Sequence, residues 1–254
     1  MSRSWNECYE ARYLRLFGKP FDIQKFQERN ARKGFFEAEA LEAVCAHLRP
    51  ELAALARAAY CTGWRKSELR SRQWPHVDLA AGWLRLEPEE TKNREGRQFP
   101  LVPELRRVIE AQRERVEMIQ KATGRIVPWI FAREDGAPVG DFKKAWGTAC
   151  IKAGFFRVEP IGTPKDGEAP QTRKVPTKLV HDFRRSAVRN LIRAGIPETT
   201  AMAMTGHRTR EVFKRYAIVD EGMLKEAGAK LAAAAMLDGG KVATGSGKVL
   251  ALRA

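Results

Sequence analysis

The chain has 254 residues, 46 of them Lys or Arg against 31 Asp or Glu, for a formal net charge of +15 with neutral histidines. That length suits one domain with a short appendage, and 44% hydrophobic with 30% charged residues excludes both a wholly disordered chain and a membrane-embedded one. No apolar stretch approaches the roughly 18 residues of a spanning helix and the opening has no apolar signal core, so a cytoplasmic protein is expected, and a pI near 10 points to a polyanionic partner, nucleic acid first.

Residues 1–33 are polar and mixed in charge, running into QERNARKG at 27–34, and read as a linker or the remains of a preceding module. From Phe36 to Leu48 the apolar positions Leu41, Val44, Cys45 and Leu48 recur at helical spacing, and the run after Pro50 stays helical to Gly63. Trp83–Leu86 and Arg97–Leu101 alternate at period two around TKNREG, which predicts a short β-hairpin or three-stranded sheet. Pro103 suits the first turn of a helix whose inward stripe is Leu105, Val108, Ile109, Val116 and Ile119. Asp141 is placed to cap a helix through Trp146 and Cys150 that Gly154 ends. GTPKDGEAPQTRKVPT, residues 162–177, reads as a long Pro- and Gly-rich loop. Helices are expected over Leu179–Ala194, from Pro197 to Thr205, around Val212–Ile218 and over Glu221–Leu237, with a flexible tail over 238–254. The fold class is α+β, mainly α, in a catalytic domain over 34–237 with one small antiparallel sheet.

Several chemistries drop out early. The chain has no H-E-x-x-H, G-x-S-x-G or dinucleotide fingerprint, and its GSGK lacks the rest of a P-loop. Cys8, Cys45, Cys61 and Cys150 are far apart with no C-x-x-C pair, so neither a disulfide framework nor a zinc knuckle is expected, only reduced and mostly buried thiols. What remains is a set of basic groups beside segment ends: Arg65 in TGWRKSEL, Lys92 in TKNREGRQFPL, His181 and Arg184 in HDFRRSAVRNL, and His207 nine residues before Tyr216 in RYA. His181 and Arg184, three apart, share one helix face. Such groups suit chemistry on a phosphodiester. Tyr60 lies in an alanine-rich helix as core, and His47 and His76 match no motif and read as structural.

These segments, with MTGHR around His207 as the fifth, in this order and spacing from about Arg32 to Ala232, resemble the tyrosine recombinase, or phage integrase, family. The resemblance implies an integrase-type, DNA breaking-rejoining fold and a reaction without cofactor or metal. In it Arg65 and Arg184 clamp the non-bridging oxygens of the scissile phosphate, a task that suits the guanidinium fork, while His181 and His207 donate hydrogen bonds and move protons. Tyr216 attacks phosphorus to leave a 3′-phosphotyrosine, and Lys92 protonates the departing 5′-oxygen. Lys92 shares its hairpin with Arg94 and Arg97, any of which could instead contact backbone phosphate. Glu68 matches the acidic position of the first arginine motif, where it holds a basic neighbour. Arg185 stands where many relatives carry histidine and is expected to touch DNA backbone or a helix end.

The implied partner is double-stranded DNA, engaged by a homo-oligomer, a tetramer on paired sites, with accessory DNA-bending proteins and no membrane. The helix of Met223, Leu224, Leu231 and Met236 either packs on its own core or docks on a neighbouring protomer. Full-length relatives carry a helical core-binding domain ahead of the catalytic one, and the short segment before Gly34 suggests that most of it is lacking here. Two further readings therefore stand beside site-specific recombination: an inactive DNA-binding remnant, and a topoisomerase IB-like enzyme that relaxes DNA.

Overall fold

A computed structural model describes residues 34–88, 96–162, 171–214, 216 and 221–238. The chain divides into two units, Met1–Lys33 and Gly34–Ala254; the expected linker over 1–33, the Lys92-bearing hairpin tip and the tail after Asp238 lie outside the described residues.

The second unit is organised around one small-residue helix. After α1 (Ala38–Cys45) the chain enters α2 (Pro50–Thr62) with Pro at its first position and leaves it at Gly63, whose φ of 66° is the left-handed conformation that glycine adopts most cheaply. Ala53, Ala54, Ala56, Ala58 and Ala59 are buried along α2, and their small side chains let neighbouring helices approach on several sides. The short α3 (Lys66–Arg70) follows, then a 3-10 turn and β1 (Val77–Asp78), β2 (Trp83–Leu86) and β3 (Arg97–Pro100). These strands form an antiparallel sheet in the order β1-β2-β3, with Leu84 opposite Phe99 and both turned into the core. Next, α4 (Pro103–Thr123) buries Leu105, Ile109, Gln112, Val116 and Ile119, with Val108 half-buried beside them.

Further along the chain the structure departs from the sequence reading at two places. The helix α5 (Lys143–Lys152) has Phe142 rather than Asp141 at its N-cap; Asp141, one residue earlier, accepts a hydrogen bond from Lys66 Nζ at 2.7 Å and one from the Lys143 backbone. Residues 162–177 are not one loop: β4 (Phe156–Pro160) pairs antiparallel with β5 (Thr172–Pro176) as a second, separate sheet. The strand forms without apolar alternation because Arg173 pairs with Glu159 at 3.2 Å and Lys174 lies 4.4 Å over the Phe156 ring, so both charges can stay exposed.

The last elements are α6 (Asp182–Arg193), α7 (Glu198–Thr205), α8 (Arg210–Lys214) and α9 (Glu221–Asp238). The expected helix over Val212–Ile218 is shorter and starts earlier, since Tyr216 N–H donates to Phe213 O at 2.8 Å and turns the chain; residues 217–218 lie outside the described set. On α9, Leu224 and Leu231 are 63% and 73% exposed, so neither leucine packs on its own core.

α6 is seated on aromatic rings. Phe183 lies 4.7 Å from Phe36 and 5.1 Å from Trp146, while Tyr60 approaches it edge-on from α2. Trp146 also donates its indole N–H to Lys178 O at 3.1 Å, which fixes the chain just ahead of α6. A smaller cluster of Val188, Ala201 and Phe213 lies under Tyr216. Cys45 and Cys150 are buried and Cys61 is half-buried, and burial pushes their thiols up to about 12, 12 and 11. Among the described residues no helix is long and apolar enough to cross a membrane, and no group of three His, Cys, Asp or Glu could hold a metal ion.

Candidate active site

The site assembles where α2, α3, α6 and α7 bring their ends together. Gly63 turns the chain out of α2 so that Arg65 stands at the N-cap of α3, and Glu68 one turn later reaches back to it. The two Glu68 carboxylate oxygens accept from Arg65 N–H at 2.7 Å and from Arg65 Nη1 at 2.8 Å. Glu68 is buried whereas the Arg65 side chain is 39% exposed, so the arginine is anchored at its base with its outer face open. Arg72 backs this arrangement: fully buried, it donates Nε to Glu68 O at 2.8 Å and Nη1 to Arg85 O at 3.2 Å, tying α3 to β2.

His181 is the N-cap of α6 and Arg184 lies one turn in, as the spacing in the sequence implies. Arg184 is buried, and its donors go to named acceptors: Nη1 to Gly63 O at 2.8 Å and Thr205 O at 2.6 Å, Nη2 to Gly206 O at 3.1 Å, and Nε to His207 Nε2 at 3.1 Å. Four of the guanidinium's five N–H groups are thereby spent on the protein, joining the C-terminal ends of α2 and α7. Burial, then Arg65 and Arg97, bring its pKa down to about 10, so it remains a cation at neutral pH.

The hydrogen bonds determine the state of His207. Thr205 Oγ1 gives its proton to Ala201 O at 2.7 Å and therefore accepts from His207 Nδ1–H, also at 2.7 Å. Nε2 is then a lone pair facing Arg184, and the ring is neutral. Burial, followed by Arg184, Arg65 and Arg97, pushes its pKa down to about 3.

Tyr216 completes the group. Its Oη lies 3.3 Å from His181 Nε2, and its ring packs 5.1 Å from the His207 ring, which is itself edge-on to Phe213 at 5.4 Å. Burial first and Arg184 second lower the pKa of His181. An open cavity of about 360 Å³, lined among others by Arg65, Lys66, Lys143, His181 and Arg184, adjoins the site. A second, of about 670 Å³, runs past His207 and Arg97 between β3 and α7.

Arg65, Glu68, His181, Arg184, His207 and Tyr216 thus share one neighbourhood, while Lys92 lies outside the described residues. Sequence reasoning left one member of the group unassigned. Arg97 is nearly buried, forms an ion pair with Glu68, and lies 5.3 Å over the Trp64 ring, so Glu68 holds two arginines rather than one. Burial opposes ionisation of Glu68, but Arg97 and the hydrogen bonds from Arg65 outweigh it and hold the carboxyl below its usual range. The signal was available: on a strand, Arg97 falls on the same face as Phe99, and an inward-facing arginine requires an internal partner. Arg185 is corrected as well. It reaches neither solvent nor a helix end but is buried against aromatic rings.

Residues 35–222 match the phage integrase family. The structure is similar to that of the XerA recombinase, with a TM-score of 0.57 and 13% identity over 78% of this chain and 64% of that one. It is also similar to the Tn1549 transposon integrase in complex with transposon right end DNA, with a TM-score of 0.60 and 16% identity over 91% and 81% of the two chains. A lambda integrase dimer bound to a COC′ core site gives 0.53 and 15% over 77% and 51%. The chain therefore spans just under two thirds of the XerA chain and half of the lambda integrase chain. Among curated proteins none matches. With a family match across most of its length and a mainly helical fold shared with these recombinases, the chain belongs to the phage integrase family of tyrosine recombinases.

Proposed function

We propose that this chain is a catalytic domain that cuts and rejoins duplex DNA in site-specific recombination, through a covalent 3′-phosphotyrosine on Tyr216. The observation that carries the reading is the 3.3 Å approach of Tyr216 Oη to His181 Nε2 beside the Arg184–His207 pair. A phenol with a reference pKa of about 10 is mostly protonated at neutral pH and needs a base. In this reading His181, whose pKa burial holds below the usual histidine value, takes that proton at Nε2.

In the step itself the Oη–phosphorus bond forms, the bond from phosphorus to the 5′-oxygen breaks, and Lys92 supplies a proton to that oxygen. The transition state gathers negative charge on the non-bridging oxygens. Arg65, with its open face, meets one of them, and the remaining Nη2 hydrogen of Arg184 meets the other. Arg184 also holds the ends of α2 and α7 in place, so it both binds the phosphate and shapes the site. Attack by a second 5′-hydroxyl reverses the step and joins new partners. Arg65, Arg97 and Arg184 outnumber the carboxylates of Glu68 and Asp182, which leaves net positive charge for a doubly charged phosphorane, with no metal or other cofactor required.

The full reaction needs a homo-oligomer, a tetramer on paired sites, together with DNA-bending accessory proteins, in the cytoplasm. The exposed Leu224 and Leu231 of α9 suit docking on a neighbouring protomer. The test is covalent trapping on nicked suicide duplexes, or on plasmid where the site is unknown, in EDTA and read on a denaturing gel. Wild type should give protein–DNA adduct, whereas Tyr216→Phe should give none and Arg184→Ala should fall at least about 100-fold. DNA binding by wild type without any adduct would contradict the reading.

A further inference from the structure

Arg185 is a buried charge that the reaction above does not use. It is 5% exposed, and neither its Nε nor its Nη2 has a hydrogen-bond partner. A buried guanidinium with open donors is costly, and it is retained where some other contact depends on the charge. Two rings supply such a contact: the guanidinium carbon lies 5.3 Å from the Phe35 ring and 5.8 Å from the Tyr216 ring, both inside the reach of a cation–π interaction.

One of these two rings, Phe35, which also carries Arg189 at 4.5 Å, is fixed and the other is not. Phe35 belongs to a strap stitched along α6. Its carbonyl accepts from Lys178, Phe36 N–H donates to Ser186 Oγ at 2.7 Å, Phe36 O accepts from Arg189 at 3.2 Å, and Arg189 pairs with Glu37 at 2.7 Å. Tyr216 instead follows the five-residue α8, and its backbone N–H is held at Phe213 O. Its ring must find its place through side-chain contacts: it packs on the apolar cluster of Val188, Ala201 and Phe213 and meets His207, His181 and Arg185.

We infer that Arg185 is a positioning residue for Tyr216, a cation clamped between the rings of Phe35 and Tyr216 that holds the nucleophile inside its own protomer's site. The inference rests on the proposed role of Tyr216. The clamp acts on the ring rather than the hydroxyl, so it keeps Oη beside His181 without competing for its proton. The cost of burying unpaired donors is the cost of that placement.

The test labels the full chain with 3-fluorotyrosine and follows Tyr216 by fluorine NMR, its signal among the four tyrosines assigned by its loss in Tyr216→Phe. In Arg185→Gln the Tyr216 resonance should move toward that of free fluorotyrosine, and in Arg185→Lys, which keeps the charge, it should stay near wild type. Phe35→Leu removes the fixed face and should move it in the same direction as Arg185→Gln. Adduct formation by Arg185→Gln should fall roughly tenfold, with a urea midpoint no lower than wild type because the unpaired buried charge is gone. An unmoved Tyr216 resonance in Arg185→Gln, or equal displacement in the Gln and Lys variants, would overturn the inference. A wild type that forms no adduct would count against the proposed function instead, and the resonance would still decide the role of Arg185.

Discussion

At the scale of single residues the site is a problem of like charges held close together. His207 stays neutral because a proton on Nε2 would face Arg184 with Arg65 and Arg97 nearby. Its folded pKa of about 3 lies below the unfolded value of about 6.5, so the unfolded chain binds the extra proton first. The stability His207 contributes is therefore complete above about pH 6.5 and is lost as the pH falls toward 3. Between pH 7.5 and pH 5 the urea-unfolding free energy of wild type should drop by about 1 kcal/mol more than that of His207→Gln, after allowance for solvent screening. Equal drops in the two proteins would remove His207 from the acid-sensitive set. The residues that form motifs were legible in the sequence because chemistry limits what can stand there. Arg72 was not, since an arginine gives no sign of its burial until the carbonyl it serves is known, and Arg97 was legible only through the strand face it shares with Phe99.

At the scale of elements, placement depends on helix ends. Arg65, His181 and Arg184 lie at or near helix N-termini, while Gly63, Thr205 and Gly206 close the C-terminal ends that receive the Arg184 hydrogen bonds. Gly206 carries two requirements at once. Its φ is 71°, and a Cβ there would fall 1.7 Å from Arg97 Nη1. Gly206→Ala should therefore displace Arg97 from Glu68 and lower stability by about 2 kcal/mol or more, through left-handed backbone strain and the broken buried pair, as a denaturant midpoint would show. A midpoint equal to wild type would mean that Arg97 is not seated as described. Helical periodicity and the Pro and Gly punctuation made α2 and α4 readable from the sequence. β5 was not, because its residues are polar and its pairing depends on a partner strand whose cross-strand contacts are charges. The end of α8 was missed for a related reason: the turn at Tyr216 is set by a backbone hydrogen bond to Phe213 and by ring contacts, to which hydrophobic spacing is blind.

For the whole molecule, the net charge of +15 and the order of the motifs carried most of the functional reading before any geometry was known. The fold adds what spacing could not, the hydrogen-bond network that makes Arg184 structural as well as electrostatic and the shared carboxylate that holds two arginines. Lys92 stays outside the described residues, so its part in the chemistry rests on its motif alone. The proposed reaction turns on a covalent bond between Tyr216 and DNA. The most direct measurement is mass spectrometry of nuclease-trimmed adduct after trypsin digestion, looking for the residue that carries the nucleotide. A 3′-linked nucleotide is expected on the peptide that contains Tyr216; attachment at any other residue, or through a 5′-phosphate, would contradict a Tyr216 nucleophile.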